Sequence, residues 1–501
     1  MTRQTLGAII ATGALIAATG CGRTSDTATT STTAARKPTT TVTVPTTPER
    51  TPNGFPANWT PPALQWRSCD VGERTECATL RVPLDWSKPA GSTVDVAVAR
   101  QRATGERIGV LTTNPGGPGG SGLEFLSYDS FSTRITEHFD VVSWDPRGVG
   151  ASTRASCGGG IDDFLALDPD PDTPAERTAI ESAAQAVAND CAATSLPLLQ
   201  HIGTADAARD LEALRLALGN EPLNYVGFSY GTQLGQQYAQ FFPSRIRTMV
   251  LDGVVDPSLS YTEFLLGQVR AFDASFSRAV QQCRQAGVRR CGVVDMNAAY
   301  DSVRARVELL PLPAGKRTVG PAELATAATY VAYLPDGWRD LGPALAEAVR
   351  GDGTALWELA NSYYDLAGYP TYAGVTCADS NPPRGVADYR KFADAARVVS
   401  PRFGGSVANE LLPCAFWPVP PASAPAGSFA GVPPVLVVGN TGDPATPYDN
   451  AVRVARRLPG GVLLTAQIDG HTAYGSDRCV TRAVDGYLLD RTLPAPGTTC
   501  R

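Results

Sequence analysis

The stretch LNYVGFSYGTQLGQQYAQFFP, residues 223–243, sets a serine between two glycines where an apolar run gives way to an amphipathic one. Leu223 to Phe228 reads as a buried strand, and Leu234, Tyr238 and Phe241 then recur at helical spacing. Ser229 therefore falls on a sharp strand-to-helix turn. Gly227 and Gly231 allow the crowded backbone that thrusts its Oγ outward, the setting of a nucleophile. With 49 glycines in 501 residues, a G-x-S-x-G match arises readily by chance, so the flanking elements carry the reading and not the motif alone.

Outward from that turn the same alternation repeats. ATLRVPLDW and STVDVAVARQRA form an opening pair of strands, with Val94, Val96 and Val98 in period two. Buried strands follow at 108–114, 139–145, 245–253, 434–440 and 461–469. Between them lie helical patterns: TADAARDLEALRLALG places Leu211, Leu214 and Leu218 on one face, and YDNAVRVARRL and CVTRAVDGYLL follow the last two strands. This order predicts an α/β fold, a mostly parallel central sheet with helices on both faces. Residues 256–430 break the rhythm, being mainly helical and closing on a proline-rich run, after which strands resume. They are read as a helical cap inserted into a core made of residues 61–255 and 431–501.

Two further loops supply what a serine nucleophile needs. TNPGGPGGSGLEF follows strand 108–114 and presents bare backbone to a developing oxyanion. Gly117 N–H and Tyr230 N–H are the expected donors, with Gly116 and Gly119 as close competitors for the first place. The chain has three histidines. His138 precedes a strand at its entry end and His201 precedes a helix, whereas His471, in IDGHTAYG, follows the last strand at the carboxyl edge of the sheet. Asp443, in GNTGDPATP, follows the preceding strand and is the expected orienter of the base. Asp469 and Asp477 are rivals that lie too near His471 in sequence to come from a separate strand end. The order Ser229, Asp443, His471 is one in which a nucleophile, an orienter and a base recur on such sheets.

The ends of the chain place this domain. MTRQTLGAIIATGALIAATGC has a basic start, a short apolar run and small residues before Cys21, the pattern of an export signal too short to span a membrane. Ala18-Thr19-Gly20-Cys21 resembles a bacterial lipobox, which makes Cys21 the expected lipid anchor and residues 1–21 a lipoprotein-type signal; secretion with cleavage nearby is the alternative. Residues 22–60, rich in Thr, Ser, Pro and Ala, are expected to be a disordered tether. Assigning Cys21 to lipid leaves ten of eleven cysteines, enough for five disulfides in an oxidising compartment. Spacing suggests the local pairs Cys69–Cys77, Cys157–Cys191, Cys283–Cys291, Cys377–Cys414 and Cys479–Cys500. The absence of C-x-x-C and the scarcity of histidine argue against a zinc site. A net charge of −6 without dense basic blocks argues against nucleic acid as a partner.

Taken together, NPGGPGGSG, SWDPRGVGAS, YVGFSYGTQLG, LDGVVDP, TCADS, GNTGDPATP and GHTAYG resemble the α/β-hydrolase serine exopeptidases. Within them the chain is similar to the secreted tripeptidyl-aminopeptidase-like enzymes, relatives of prolyl aminopeptidase. Where prolyl aminopeptidases usually show H-G-G-P-G, this chain has Pro115-Gly116-Gly117-Pro118-Gly119, which favours the tripeptidyl-type branch. The resemblance implies an α/β-hydrolase fold and hydrolysis of peptide bonds near a free N-terminus through an acyl-enzyme, with no metal or organic cofactor. An esterase or lipase using the same triad is the alternative. An exopeptidase also needs a carboxylate for the substrate ammonium, and Asp379 in TCADS is the candidate. Asp145-Pro146-Arg147-Gly148 is expected to hold the loops beside the site. Sequence is silent on oligomeric state.

Overall fold

The alternation at Val94, Val96 and Val98 builds one strand of a large mixed sheet, with all three side chains buried. The computed structural model describes residues 54–364, 368–422 and 428–501; the leader, Cys21 and the tether as far as residue 53 lie outside them. The strands are β1 (Arg67–Ser68), β2 (Thr75–Pro83), β3 (Thr93–Gln101), β4 (Gly109–Asn114), β5 (Phe139–Trp144), β6 (Leu223–Phe228), β7 (Ile246–Asp252), β8 (Leu312–Ala314), β9 (Arg317–Val319), β10 (Leu436–Gly442), β11 (Val462–Asp469) and β12 (Thr499–Cys500). Ten of them form one sheet in the order β1-β2-β3-β5-β4-β6-β7-β10-β11-β12. Pairings from β1 to β5 are antiparallel, and those from β5 across to β12 are parallel. β10 begins two residues later than the apolar run does, because Pro433 and Pro434 have no N–H to give a ladder.

Every position of β6 is buried, and the two faces serve different cores. Tyr225, with Met249 and Leu251 of β7, joins a cluster that runs on into the cap. Val226 and Phe228, with Val250, join the cluster on the opposite face. A strand packed on both sides has no polar alternation, which is why it reads as a continuous apolar run.

Helices Thr204–Ala217, Tyr230–Phe241, Tyr448–Arg457 and Arg478–Asp490 lie where the sequence pattern sets them. One long helix, Pro174–Leu199, was not foreseen, although it opens on a capping box from Thr173 to Glu176 with proline in its first turn. It packs on the turn Leu412–Phe416 at the end of the cap, so the helical layer over the sheet is built from two insertions. Among the described residues, the cap between Tyr261 and Asn409 is built of helices and the hairpin β8–β9, joined by short loops.

The expected tether is too long at its C-terminal end. Phe55 is buried against Trp86 and Phe242, with ring centroids 4.8 and 5.8 Å away, and Trp59 meets Trp86 at 5.0 Å. These aromatic side chains fix the chain to the domain several residues before residue 60. All five disulfides pair as the spacing suggests. Among the described residues no helix is long and apolar enough to cross a membrane.

Candidate active site

Ser229 joins β6 to helix Tyr230–Phe241 at φ 54° and ψ −125°, a left-handed conformation that a side chain tolerates only when its surroundings enforce it. Two close approaches do so. A Cβ on Gly227 would overlap the Gly231 carbonyl, and one on Gly231 would lie 2.5 Å from the Asn114 carbonyl at the end of β4. The turn is also tied to β7, since Ser229 N–H donates to the Asp252 carbonyl at 2.9 Å. The serine side chain remains partly exposed.

The glycine loop after β4 lies directly on this turn. A Cβ on Gly116 would sit 2.8 Å from Ser229 Cβ and 3.0 Å from Tyr230 N, so only glycine fits. Gly116 N–H is itself committed to Asn114 Oδ1 at 3.1 Å. Gly119 is turned towards the cap, where its carbonyl accepts from Gly368 N–H. Neither Gly117 N–H nor Tyr230 N–H has a partner among the described residues, and Tyr230 N–H opens the helix Tyr230–Phe241.

His471 stands two residues beyond β11. Its Nδ1 meets Asp443 Oδ2 at 2.9 Å and Oδ1 at 3.0 Å. Asp443 is buried, and it also accepts from Ala445 N–H, Thr446 N–H and Thr446 Oγ1–H at 2.8 to 2.9 Å, so its lone pairs are satisfied. Burial works against the imidazolium, yet the charge and hydrogen bond of Asp443, with Asp252 adding to them, raise the His471 pKa above the ordinary histidine value. His471 Nε2 is buried and has no hydrogen-bond partner among the described residues. It makes no hydrogen bond with Ser229 Oγ in this structure; such contacts are often long before substrate arrives. The ring nonetheless lies over the end of β7, where a Cβ on Gly253 would stand 3.0 Å from His471 Cε1.

Asp252 links the two halves of this arrangement, a role that sequence reading missed although the residue sits in LDGVVDP. Its carbonyl holds Ser229, while its carboxylate accepts from Ala473 N–H and Tyr474 N–H at 2.8 to 3.1 Å, just past His471. Burial pushes this carboxyl up to about 6 against those hydrogen bonds. The rival orienters are occupied elsewhere: Asp469 pairs with Arg278 of the cap at 2.6 Å, and Asp477 caps helix Arg478–Asp490. His138 binds the Glu106 carbonyl and His201 lies near Asp206, and neither bonds to the serine. Arg147 is fully buried in a fork with Asp210 at 2.6 and 2.7 Å, and Asp145 binds Ser121, Leu123 and Ala151, so D-P-R-G does brace the loops around the site.

Asp379, the expected ammonium acceptor, is engaged in another way. Both its oxygens accept from Thr204 N–H, at 3.0 and 2.9 Å, and Oδ2 also takes the Thr204 hydroxyl. In this structure the carboxylate caps the first residue of helix Thr204–Ala217. A second carboxylate, Glu410, which no sequence pattern marked, is held by tyrosine hydroxyls and not by a helix terminus. Tyr363 and Tyr372 hydroxyls donate to it at 2.9 and 3.2 Å, and no cation pairs with it among the described residues. Burial raises its pKa above the usual carboxylate range, against the pull of the two phenols. Glu410 is connected to both sides of the site. Tyr363 packs on Tyr333, whose ring meets that of His471 edge-on at 5.3 Å, and a Cβ on Gly119 would lie 3.4 Å from Tyr372 N.

Comparison with known proteins agrees with this geometry. Serine protease Hip1 of Mycobacterium tuberculosis is 35% identical over 481 residues, covering 89% of this chain and 91% of its own. A TAP-like protein family model matches residues 400–500. The chain belongs to the TAP-like α/β-hydrolase family. Carboxylesterase B of Mycobacterium tuberculosis is 37% identical over 472 residues, covering 88% of this chain and 90% of its own. Tripeptidyl aminopeptidase of Streptomyces lividans is 33% identical over 474 residues, with 87% and 86% covered. This TAP-like protein is accordingly a serine hydrolase, as the elbow at Ser229 and the glycine loop had indicated.

Proposed function

We propose that the protein is a serine aminopeptidase that removes short fragments from the free N-terminus of peptides. Ser229 Oγ attacks the scissile carbonyl as His471 Nε2 takes its proton, and Asp443 steadies the imidazolium. Gly117 N–H and Tyr230 N–H stabilise the oxyanion, a type of contact whose loss raises a barrier by roughly 3 to 4 kcal/mol. His471 then protonates the leaving amine, and water cleaves the acyl-enzyme through the same base. The observation that carries the aminopeptidase reading is Glu410, an unpaired carboxylate among tyrosine hydroxyls, connected to both His471 and the glycine loop. An ammonium is the cation that such a carboxylate, flanked by tyrosine hydroxyls, would take from a peptide end.

Mass spectrometry of products from a mixed pool of free and N-acetylated peptides tests the reading. Short fragments should be released from the free peptides alone. The 37% identity to a carboxylesterase supports a second reading, and rapid turnover of long acyl esters with intact peptides would establish it in place of the first.

For location, the lipobox-like Ala18-Thr19-Gly20-Cys21 supports export followed by lipid anchoring at Cys21. An alkyne-tagged fatty acid should label the expressed protein and not its Cys21→Ser variant; equal labelling of both would remove the anchor from the account.

A further inference from the structure

Tyr230 carries its oxyanion N–H at one end and a phenol at the other, and the phenol is held. Its hydroxyl lies 2.6 Å from Thr204 Oγ1, and Thr204 in turn binds Asp379 through both its N–H and its hydroxyl. Thr204 and Tyr230 are both buried, and a Cβ on Gly203 would stand 2.6 Å from Asp379 Oδ1, so the three elements are in close contact. Asp379 ends helix Tyr369–Asp379 of the cap, two residues past Cys377 in the Cys377–Cys414 disulfide.

We propose that Asp379 is a positioning residue that fixes the Tyr230 N–H of the oxyanion hole through Thr204. An ionised carboxylate only accepts hydrogen bonds, so the Thr204 hydroxyl must donate to Asp379. Its lone pairs are then turned to accept the Tyr230 O–H. This directionality anchors the far end of the Tyr230 ring, and a buried ring anchored there restricts rotation of the residue that starts helix Tyr230–Phe241. The cap thereby reaches the catalytic backbone without touching substrate. Burial raises the Asp379 carboxyl to about 6 with Asp206 adding repulsion, while the Thr204 bonds favour the ionised form that the relay needs.

The inference rests on Ser229 being the nucleophile, which fluorophosphonate labelling of the native enzyme, and its loss in Ser229→Ala, settles independently. The same probe reads the relay, because its phosphonyl oxygen needs the oxyanion donors and neither a peptide nor an ammonium site. Tyr230→Phe, Thr204→Val and Asp379→Asn should each lower the maximal labelling rate about tenfold, less than loss of a whole donor, with the inhibitor's KI unchanged. The double variant Tyr230→Phe/Asp379→Asn should be no slower than the worse single one, since one relay is cut either way. A helix-capping role alone would lower Tm and spare the labelling rate. The proposal is overturned if folded Tyr230→Phe labels at the native rate, or if the two losses multiply in the double variant. Tyr230→Phe removes a single hydroxyl, so it keeps the test available should Asp379→Asn fold poorly.

Discussion

Both carboxylate oxygens of Asp443 lie within 3.0 Å of one nitrogen, His471 Nδ1. This contact raises the imidazole pKa above 6.5 despite burial. Because the base works only when neutral, raising its pKa moves the acid limb of kcat/KM upward, above the ordinary histidine value. Asp443→Asn removes the charge, so the limb should move to lower pH, while kcat falls by roughly four orders of magnitude as the amide favours the tautomer that places the proton on Nε2. pH–rate profiles of the two proteins measure both effects. A limb that stays put in the variant would mean that Asp443 does not control the titrating group.

Gly231→Ala should damage catalysis more than binding. The new Cβ would lie 2.5 Å from the Asn114 carbonyl and 2.9 Å from Asn114 Oδ1, the atom that holds Gly116 N–H. Backbone is on both sides, so the glycine loop must move away from the elbow. Losing one oxyanion donor costs about a hundredfold to a thousandfold in kcat, and a decrease of that size with little change in KM is expected. Native kcat in the variant would show that the loop does not serve the oxyanion.

The elbow was legible because β6 is buried on both faces and turns abruptly into an amphipathic helix, so a local pattern encodes it. Asp443 and His471 were legible for a related reason, since each follows a strong apolar strand at the carboxyl edge. Disulfide pairing followed from short spacings. Glu410 carried no such signal, because its tyrosine partners at 363 and 372 come from other helices and meet it only in three dimensions. The ties of Asp379 were hidden for the complementary reason: an aspartate beside a cysteine looks available in sequence, and only folding brings Thr204, 175 positions away, against it. Phe55 and Trp59 were lost in a compositionally polar stretch, where two aromatic rings outweigh many threonines.

Arg147 makes a stability prediction. Its guanidinium is fully buried, pairs with Asp210, and donates to the carbonyls of Pro83, Leu84 and His201. Arg147→Met strands a buried carboxylate and three acceptors, a loss of about 3 to 5 kcal/mol for a broken buried pair. Adding Asp210→Asn should restore part of it by removing the uncompensated charge. Denaturant midpoints of the single and double variants measure this. A single variant as stable as the native protein would deny the pair its bracing role.

Glu410→Gln preserves size and leaves an oxygen for a tyrosine hydroxyl, but removes the charge an ammonium would meet. Hydrogen bonds to charged groups are worth about 1.5 to 3 kcal/mol, so kcat/KM for free peptides should fall roughly tenfold to a hundredfold, with KM taking most of the loss. N-acetylated substrates, which bring no ammonium, should be indifferent to the change. The pH dependence has a definite sign. Burial raises the Glu410 pKa above 4.5, and the ionised form is the binding form, so affinity is present above that raised pKa and is lost as pH falls through it. Peptide binding to the Ser229→Ala variant separates this from the titration of His471 in catalysis. Affinity for a free peptide should weaken on acidification earlier than an ordinary glutamate would dictate, and Glu410→Gln should abolish that dependence. If free and blocked peptides bind Ser229→Ala equally at every pH, Glu410 is not the ammonium site.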